Sequence, residues 1–266
     1  MHLLLVKLKI LKTYLGHDIK MVTGIIIQAR MGSSRLPGKV LLPLGTRNEC
    51  VTEFMHRRLE KSLSIPIIVA IPDTNYNDVL YERLTSRGIT VFRGPESDVM
   101  LRYLMCAKYY EFESVVRLTS DCPLVDPNLI LTMIEEFASK STDYISNTTP
   151  LNESTYPDGS DIEIFKIDAL EKAANSCSER RLREHVTFQF WEPNTDFSNQ
   201  TYRNNTDDSD LRFTLDHPED YEVIKRIVKH FETIDADFDT KAIISFLRAN
   251  PSISKINQNF KAGDNW

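Results

Sequence analysis

Length, composition and charge are those of an ordinary water-soluble protein. The 266 residues suffice for one large domain with its own core. Hydrophobic residues make up 41% and charged residues 26% of the chain, which excludes fibrous and disordered classes. The formal net charge of −6 argues against a general nucleic-acid-binding protein, which needs a basic surplus, so we expect no nucleic-acid partner.

Cysteine usage and the first residues bear on location. The four cysteines are scattered without paired or metal-ligand spacing, which predicts no zinc site and fits a reducing, cytoplasmic location. Lysines interrupt the apolar run of residues 1–20, and no small-residue cleavage site follows it. We therefore interpret 1–20 as an N-terminal extension, too short and charged to span a bilayer, and 21–266 as a single domain.

Apolar runs alternate with helical patterns from residue 24 to residue 148. The predicted strands are 24–30, 65–73, 89–94, 114–121 and 142–148. Helical spacing predicts helices over 51–63 and 77–87, a third capped by Ser97, and a fourth beginning with Asp126 and Pro127. This alternation predicts an α/β fold with a mostly parallel sheet sandwiched by helices.

The pattern changes at about residue 150. Residues 150–210 are polar, with one strand over 161–165 and one helix over 167–190, and we interpret them as a small inserted lobe. Strand character returns in LRFTLD (211–216). A helix then begins at Pro218, and a last one covers 239–249.

The loop after the first strand has the composition of a polyphosphate site. It runs from Gln28 to Lys39 (QARMGSSRLPGK), and ligands of open α/β sheets bind beyond the carboxyl ends of strands. Glycine allows close backbone approach, while serines and cations donate to anionic oxygens. The residues concerned are Gly32, Ser33, Ser34, Arg30, Arg35 and Lys39. A solvated basic loop is the alternative, but it would not explain this composition directly after a buried strand.

Two better-known phosphate motifs do not fit this loop. A Walker A motif needs four residues between its glycines and a hydroxyl residue after the lysine. Here five residues separate Gly32 from Gly38, and Val40 follows Lys39. The dinucleotide fingerprint G-x-G-x-x-G does not occur in the loop either.

Two aspartates end predicted strands. Asp121 closes the strand 114–121 and Asp216 closes 211–216, so we expect both carboxylates at one edge of the sheet. Carboxylate oxygens together with waters and phosphate oxygens suit Mg²⁺. Each aspartate by itself is open to a second interpretation as a helix N-cap, because both precede a turn or a helix.

Two motifs within the polar segment predict an acceptor pocket. Their polar side chains suit a hydroxyl-rich, anionic acceptor, with Arg183 pairing its carboxylate. The second motif is equally compatible with a salt-bridged helix face, and a lone histidine in a helix is more often structural than a base. The candidates are Tyr156, Asp158, Asp161 and Glu163 in TYPDGSDIEIF, and Arg183, Glu184 and His185 in RLREHV.

Several segments in the same order resemble one family. They are IIIQARMGSSRLPGKVLLPLG, FRGPESDVMLRY, VVRLTSDCPLVDP, TYPDGSDIEIF, REHVT and RFTLDHPEDYEVI, and they span about residues 22–232. Together they resemble the cytidylyltransferases of the spore coat polysaccharide biosynthesis F type, relatives of the CMP-Kdo and CMP-acylneuraminate synthetases.

The resemblance implies a glycosyltransferase-A-like nucleotide-binding fold, CTP as donor, Mg²⁺ as cofactor and release of pyrophosphate. It implies transfer of CMP to an acidic sugar for a surface polysaccharide, and a homodimer to which the lobe contributes. By position, Arg30, Arg35 and Lys39 would be catalytic and hold the triphosphate, and Asp121 and Asp216 would bind the metal. Residues beside the nucleotide would be Gln28, Ala29, Gly32, Ser33, Ser34, Arg93, Ser97 and Asp98.

Three other functions stay open at this point. A uridylyl- or guanylyltransferase is the nearest, because similar loops occur in those relatives. A glycosyltransferase on the same fold would need an Asp-x-Asp motif, and Ser120-Asp121-Cys122 disfavours it. A binding protein that has lost catalysis predicts missing phosphate or metal residues, and none is missing.

Overall fold

The structure is a computed structural model that describes residues 21–263. The predicted extension 1–20 lies outside these residues. The described part of the chain contains nine strands: β1 (Thr23–Gln28), β2 (Pro43–Leu44), β3 (Glu49–Cys50), β4 (Ile67–Pro72), β5 (Val91–Gly94), β6 (Ser114–Thr119), β7 (Tyr144–Ser146), β8 (Glu163–Lys166) and β9 (Asn199–Thr201).

Seven strands form one mixed sheet in the order β5-β4-β1-β6-β8-β7-β9, while β2 and β3 pair separately. Strands β5, β4, β1 and β6 are parallel, so their carboxyl ends share one edge. Strand β8 runs antiparallel to both β6 and β7. The predicted α/β fold with a mostly parallel sheet is confirmed.

The main helices are α1 (Val51–Ser62), α2 (Asp78–Ser86), α3 (Val99–Tyr109), α4 (Pro127–Ser139), α5 (Ile167–Ser176), α6 (Arg180–His185), α7 (Phe188–Trp191), α8 (Pro218–Thr233), α9 (Thr240–Ala249) and α10 (Pro251–Ser254). They cover both faces of the sheet. Alternate residues of β1 separate the two layers, because Ile25 and Ile27 join one core cluster and Ile26 joins the other. A third cluster lies under α8 and α9.

Three sequence predictions are corrected. Asp98, not Ser97, caps α3, because its Oδ1 accepts from the amide of Leu101 at 2.9 Å. The predicted helix over 167–190 is three helices, α5, α6 and α7. Residues 211–216 form no strand of the sheet: they are extended, with only a single bridge between Arg212 and Asp158.

The predicted lobe is only partly separate. Strand β8 lies inside the segment 150–210 yet occupies the sheet between β6 and β7, and β9 extends the same sheet. Burial of Ile164 and Phe165 explains this placement, since each packs on a different face of the sheet. No helix among residues 21–263 has the length and apolar character needed to cross a bilayer.

Candidate active site

Two adjoining cavities open at the carboxyl ends of β1 and β6. Each has a volume of about 610 Å³. The first, here called the phosphate cavity, is lined by the loop 28–40 and by residues 119–121. The second, the acceptor cavity, is lined by residues of 148–163, 184–188 and 209–216. Both share a wall, formed by Gln28, Arg30, Arg35, Thr119, Asp121 and Asp216.

Lys39 connects the loop 28–40 to Asp121 and Asp216. Its Nζ donates to Asp121 Oδ2 at 3.1 Å and to Asp216 Oδ1 at 2.9 Å. A third bond goes to the carbonyl oxygen of Leu215 at 2.8 Å. These three acceptors use all three donors of the ammonium group. The geometry therefore brings together the cation and the two carboxylates that the sequence placed in three separate motifs.

The other two loop cations reach the same wall. Arg35 Nη2 lies 2.9 Å from Asp216 Oδ1. Arg30 Nη1 lies 3.8 Å from Glu184 Oε1, and its side chain is 48% exposed, so it remains accessible to a ligand. A polyanion in the phosphate cavity would meet all three cations within one loop.

Local hydrogen bonds fix the loop. Gly38 adopts the left-handed conformation (φ 68°) and lets the chain turn into the short 3₁₀ helix of residues 39–41. Its amide donates to the carbonyl of Met31 at 3.3 Å, which closes the loop on itself. The amide of Met31 donates to Asn77 Oδ1 at 2.9 Å, which ties the loop to the turn before α2.

Charge pairing sets the protonation of this wall. Burial alone would raise the pKa of Asp121, but the charge of Lys39 and its hydrogen bond outweigh burial and lower the pKa to about 2. Burial alone would lower the pKa of Lys39, but Asp121 and Asp216 outweigh it and raise the pKa. Asp121 and Lys39 are therefore both charged at neutral pH.

Asp216 reaches this wall although it ends no strand. The amide of Leu215 donates to the carbonyl of Asp121 at 2.7 Å, so residues 214–216 lie directly against the end of β6. Asp220 then accepts from the amides of Asp216 and His217, at 3.0 and 2.9 Å. The N-cap interpretation fails for both aspartates, because α8 is capped by His217 and α4 by Asp126.

The acceptor cavity is rich in carboxylates. Asp161 accepts from the hydroxyl of Thr148 at 2.9 Å and from the amide of Gly159 at 2.8 Å. Burial raises the pKa of Asp161, and burial together with the charge of Asp161 raises the pKa of Asp158 to about 7. Arg212 pairs with Asp158 and partly offsets this effect. The ring of Tyr156 completes this side and stacks on Tyr202 at 6.3 Å.

Glu163 stabilises the wall of the acceptor cavity. Only 7% of its side chain is exposed, and it pairs with the guanidinium of Arg117. Its Oε1 also accepts from the hydroxyls of Tyr144 at 2.6 Å and Thr187 at 2.5 Å. With three donors already bound, Glu163 is better suited to positioning its neighbours than to binding an acceptor directly.

A strained turn presents α6 to the same cavity. Val186 has φ 61° and ψ −57°, and the amide of Thr187 donates to the carbonyl of His185 at 2.6 Å. These values define a γ-turn of the rare, strained type, unusual for a β-branched residue. Full burial of Val186 and the Thr187–Glu163 bond hold it. Glu184 and His185 thereby line the cavity.

Four predicted site residues lie elsewhere. Arg183 binds Asp98 through Nε at 2.9 Å and the carbonyl of Ala174 through Nη1 at 2.6 Å, so it joins α6 to α3 instead of entering the acceptor cavity. Arg93 pairs with Asp73 at 3.0 Å and Asp78 at 2.7 Å. Arg93, Ser97, Asp98 and Arg183 line neither cavity.

Several cavity residues were not singled out from the sequence, and three of them take part in the ion pairs and hydrogen bonds described above. Arg117, Thr187 and Arg212 line the acceptor cavity. A signal existed for Arg117, because it is the only charge within the apolar run SVVRLT. Arg212 had a weaker signal of the same kind, and Thr187 had none, since its role depends on the turn at Val186.

The shared wall suits a divalent cation for which the protein supplies only some of the ligands. Within residues 21–263, no three acidic, histidine or cysteine side chains converge as a metal site. Asp121 and Asp216 supply two convergent carboxylates, as their common contact with Lys39 shows. Mg²⁺ commonly takes one or two carboxylates and completes its shell with phosphate oxygens and water. The donor set is thus compatible with a metal–nucleotide complex.

These features define a class. An open α/β sheet, a basic non-Walker loop after β1 and two carboxylates beside a second cavity characterise a nucleotidyltransferase. The family model described as cytidylyltransferase matches residues 24–249, and the chain belongs to this family.

Known relatives agree with this assignment. The spore coat polysaccharide biosynthesis protein SpsF of Bacillus subtilis is 32% identical over 237 residues, covering 85% of this chain and 94% of the relative. A solved cytidylyltransferase from Leptospira borgpetersenii is 36% identical with a TM-score of 0.81, covering 91% of this chain and 98% of that one. The resemblance inferred from the sequence motifs is confirmed.

A more distant structure shares the fold. It is CMP:2-keto-3-deoxy-manno-octonic acid synthetase, solved in complex with CTP. It is 14% identical, has a TM-score of 0.58, and the match covers 78% of this chain and 98% of that one. At this identity the likeness concerns the fold alone.

Proposed function

We propose that this protein transfers CMP from CTP to a hydroxyl of an acidic sugar or a related acceptor and releases pyrophosphate. The observation that carries the proposal is the wall shared by the two cavities. It contains Asp121, Asp216 and Arg35, so a triphosphate on one side and an acceptor on the other would meet there. The family membership and the relative's part in polysaccharide biosynthesis support a surface glycan as the destination.

The reaction follows from this arrangement. The acceptor oxygen attacks the α-phosphorus in line, the new P–O bond forms, the bond to the β-phosphate oxygen breaks, and the hydroxyl proton passes to solvent. Mg²⁺ held by Asp121 and Asp216 would supply charge stabilisation between the phosphates and lower the pKa of the attacking hydroxyl. Arg30, Arg35 and Lys39 stabilise the negative charge that develops on the leaving pyrophosphate. No covalent intermediate with the enzyme is needed.

The nucleotide and acceptor contacts are proposed residue by residue. The nucleotide is held by Gln28, Ala29, Gly32, Ser33 and Ser34. All five line the phosphate cavity, which supports this assignment, and Gln28 lines the acceptor cavity as well. Tyr156, Asp158, Asp161, Glu184 and His185 surround the acceptor. We omit Arg93, Ser97, Asp98 and Arg183 from direct binding because none of the four lines either cavity, and Arg93, Asp98 and Arg183 are held in ion pairs elsewhere.

Location and assembly belong to the same proposal. All four cysteines are free thiols, which supports a reducing compartment such as the cytosol. A homodimer is proposed on the family resemblance, and light scattering coupled to size exclusion tests it directly.

Pyrophosphate release tests the function. CTP, UTP, GTP and ATP are each combined with Mg²⁺ and a panel of acidic and neutral sugars. We expect release with CTP and an acidic sugar. Preferred release with UTP or GTP would overturn the choice of donor, and glycosyl transfer without pyrophosphate would revive the glycosyltransferase alternative. No release with any pair would favour a binding protein.

Two variants test the residues. Lys39→Ala and Asp121→Ala should each lower kcat/KM by about a hundredfold or more, the usual effect of removing a group that stabilises transition-state charge. Lys61→Ala is the matched control, because Lys61 pairs with Asp237 at an exposed site away from both cavities. Near wild-type turnover in either active-site variant would overturn the assignment.

A further inference from the structure

The ammonium group of Lys39 lies in a complete oxygen cage. Its three acceptors are carboxylate oxygens of Asp121 and Asp216 and the carbonyl oxygen of Leu215, at 2.8–3.1 Å. Only 12% of the Lys39 side chain is exposed. Oxygen atoms arranged in this way suit any compact cation, whether an ammonium group or a hard metal ion. The Lys39 ammonium group therefore occupies the place in which the two carboxylates would bind a metal.

The charges that are in direct contact at the cage balance one another. Asp121 and Asp216 carry two negative charges, and Lys39 and Arg35 carry two positive charges in direct contact with them. Arg212 Nη2 lies 3.7 Å from Asp216 Oδ2, and its guanidinium also pairs with Asp158 and Asp220. A free dication would therefore meet two carboxylates that are each already in direct contact with a cation, at partly buried positions where electrostatic interactions are strong, while Asp158 and Asp161 add negative charge only beyond these contacts.

A triphosphate changes this balance. Its oxygens lie, under the proposed function, along the same loop that carries Lys39 and Arg35. An ammonium group is a compact charge on a flexible stem, so it can leave the carboxylates for a phosphate oxygen without moving the backbone. The carboxylates then become available to a cation that arrives with the phosphate.

We propose that Lys39 is a resident substitute for the metal: it keeps Asp121 and Asp216 closed to free divalent cations and yields them only when a nucleotide triphosphate takes over its ammonium group. The inference rests on the proposed function. It predicts that the protein takes up the metal–nucleotide complex as a unit, and that the affinity for metal alone is low because of Lys39 and not because ligands are lacking.

Mn²⁺ binding without any nucleotide tests this inference. The loss of the free Mn²⁺ signal in electron paramagnetic resonance is titrated for the whole chain. Lys39→Met should bind Mn²⁺ at least about tenfold more tightly than the wild type, a difference of about 1.4 kcal/mol. Arg35→Met is the matched control: it removes the same charge, but the guanidinium contacts Asp216 from outside the cage, so we expect a gain in Mn²⁺ affinity at least about threefold smaller than that of Lys39→Met.

Two further measurements complete the test. Adding Asp121→Asn to Lys39→Met should abolish the gain, because the metal then loses a carboxylate. In wild type, the non-hydrolysable α,β-methylene CTP should raise Mn²⁺ affinity at least about tenfold, by the same conversion. Tight Mn²⁺ binding by the nucleotide-free wild type would overturn the proposal even if Lys39→Met failed to fold, as would equal gains in Lys39→Met and Arg35→Met.

The outcome is separable from that of the proposed function. If CTP does not bind while Lys39→Met gains metal affinity, the substitution of metal by lysine stands and the donor assignment fails. If CTP is the donor but Lys39→Met binds Mn²⁺ no more tightly than the wild type, the enzyme assignment stands and this inference fails.

Discussion

Lys39 Nζ lies 2.9 Å from Asp216 Oδ1, although 177 positions separate the two residues in the chain. One comes from the loop after β1 and the other from the extended segment before α8. The contact is possible because the segment 214–216 lies against the end of β6 through the Leu215–Asp121 hydrogen bond. The site thus depends on the docking of a segment that belongs to no strand.

Glu163 should be a major contributor to stability. Glu163→Gln leaves the guanidinium of Arg117 buried without its countercharge, so we expect a loss of about 3–5 kcal/mol in the free energy of unfolding. Urea denaturation followed by circular dichroism measures it. Glu184→Gln is the control, because Glu184 is 39% exposed and 3.8 Å from Arg30, and it should cost less than about 1 kcal/mol. Equal losses would contradict the supporting role of Glu163.

Arg183 should stabilise the fold and should not bind the carboxylate of the acceptor. Arg183→Met removes the ion pair with Asp98 and the bonds to Ala174 and Cys177, and we expect a loss of about 2–3 kcal/mol. Arg181→Met on the same helix should cost about 1 kcal/mol or less, since that arginine is 46% exposed. CTP binding by calorimetry should change less than about twofold (0.4 kcal/mol). A normal melting temperature with lost acceptor binding would favour the original sequence interpretation.

Gly159 permits the close approach of two segments. It has φ +106°, and a Cβ there would lie 2.4 Å from the backbone nitrogen of Thr214. Gly159→Ala should therefore cost about 3 kcal/mol or more and displace the segment that carries Asp216. Gly88→Ala is the control that measures backbone strain without a steric clash, because Gly88 has φ +76° and a Cβ there would meet no atom within 4 Å. It should cost only about 1 kcal/mol. Similar losses would show that strain alone explains Gly159.

His185 should contribute packing at the acceptor cavity and not proton transfer. Its ring stacks on Phe188 at 4.3 Å, and burial lowers its pKa below the usual value of 6.5. The neutral ring therefore stabilises the fold above that pH, and this stabilisation is lost as the pH falls through the lowered pKa. We expect His185→Phe to remove this acid-side loss of stability and to keep kcat at pH 8 within about fivefold. A drop of about a hundredfold at pH 8 would instead identify a general base.

The sequence predicted local features well where short-range forces decide them. The apolar runs gave β1, β4, β5 and β6 to within two residues at either end, because a strand buried on both faces needs continuous apolar residues. Asp126 with Pro127 correctly marked the start of α4. The glycine, serines and cations of the loop 28–39 lie close together in the chain, so phosphate binding could be predicted from the sequence, and it stays a prediction.

The failures have physical causes. LRFTLD has the alternation of a strand, but its backbone pairs with residues 158 and 121 individually and never joins the sheet. Arg183 and Glu184 are neighbours in one motif, yet on α6 they face different directions, one toward Asp98 and the other toward Arg30. A motif gives residue types and spacing, and it does not tell which side chain turns inward.

The sequence by itself determined the α/β class and the family, because each follows from residues close together in the chain or from motif order, and it predicts a polyphosphate-binding loop. Only the tertiary structure decided that Lys39 lies between Asp121 and Asp216, that β8 enters the sheet from the segment 150–210, and that Arg183 stays out of the acceptor cavity. These are long-range contacts, fixed by burial and charge compensation between segments that no local pattern relates.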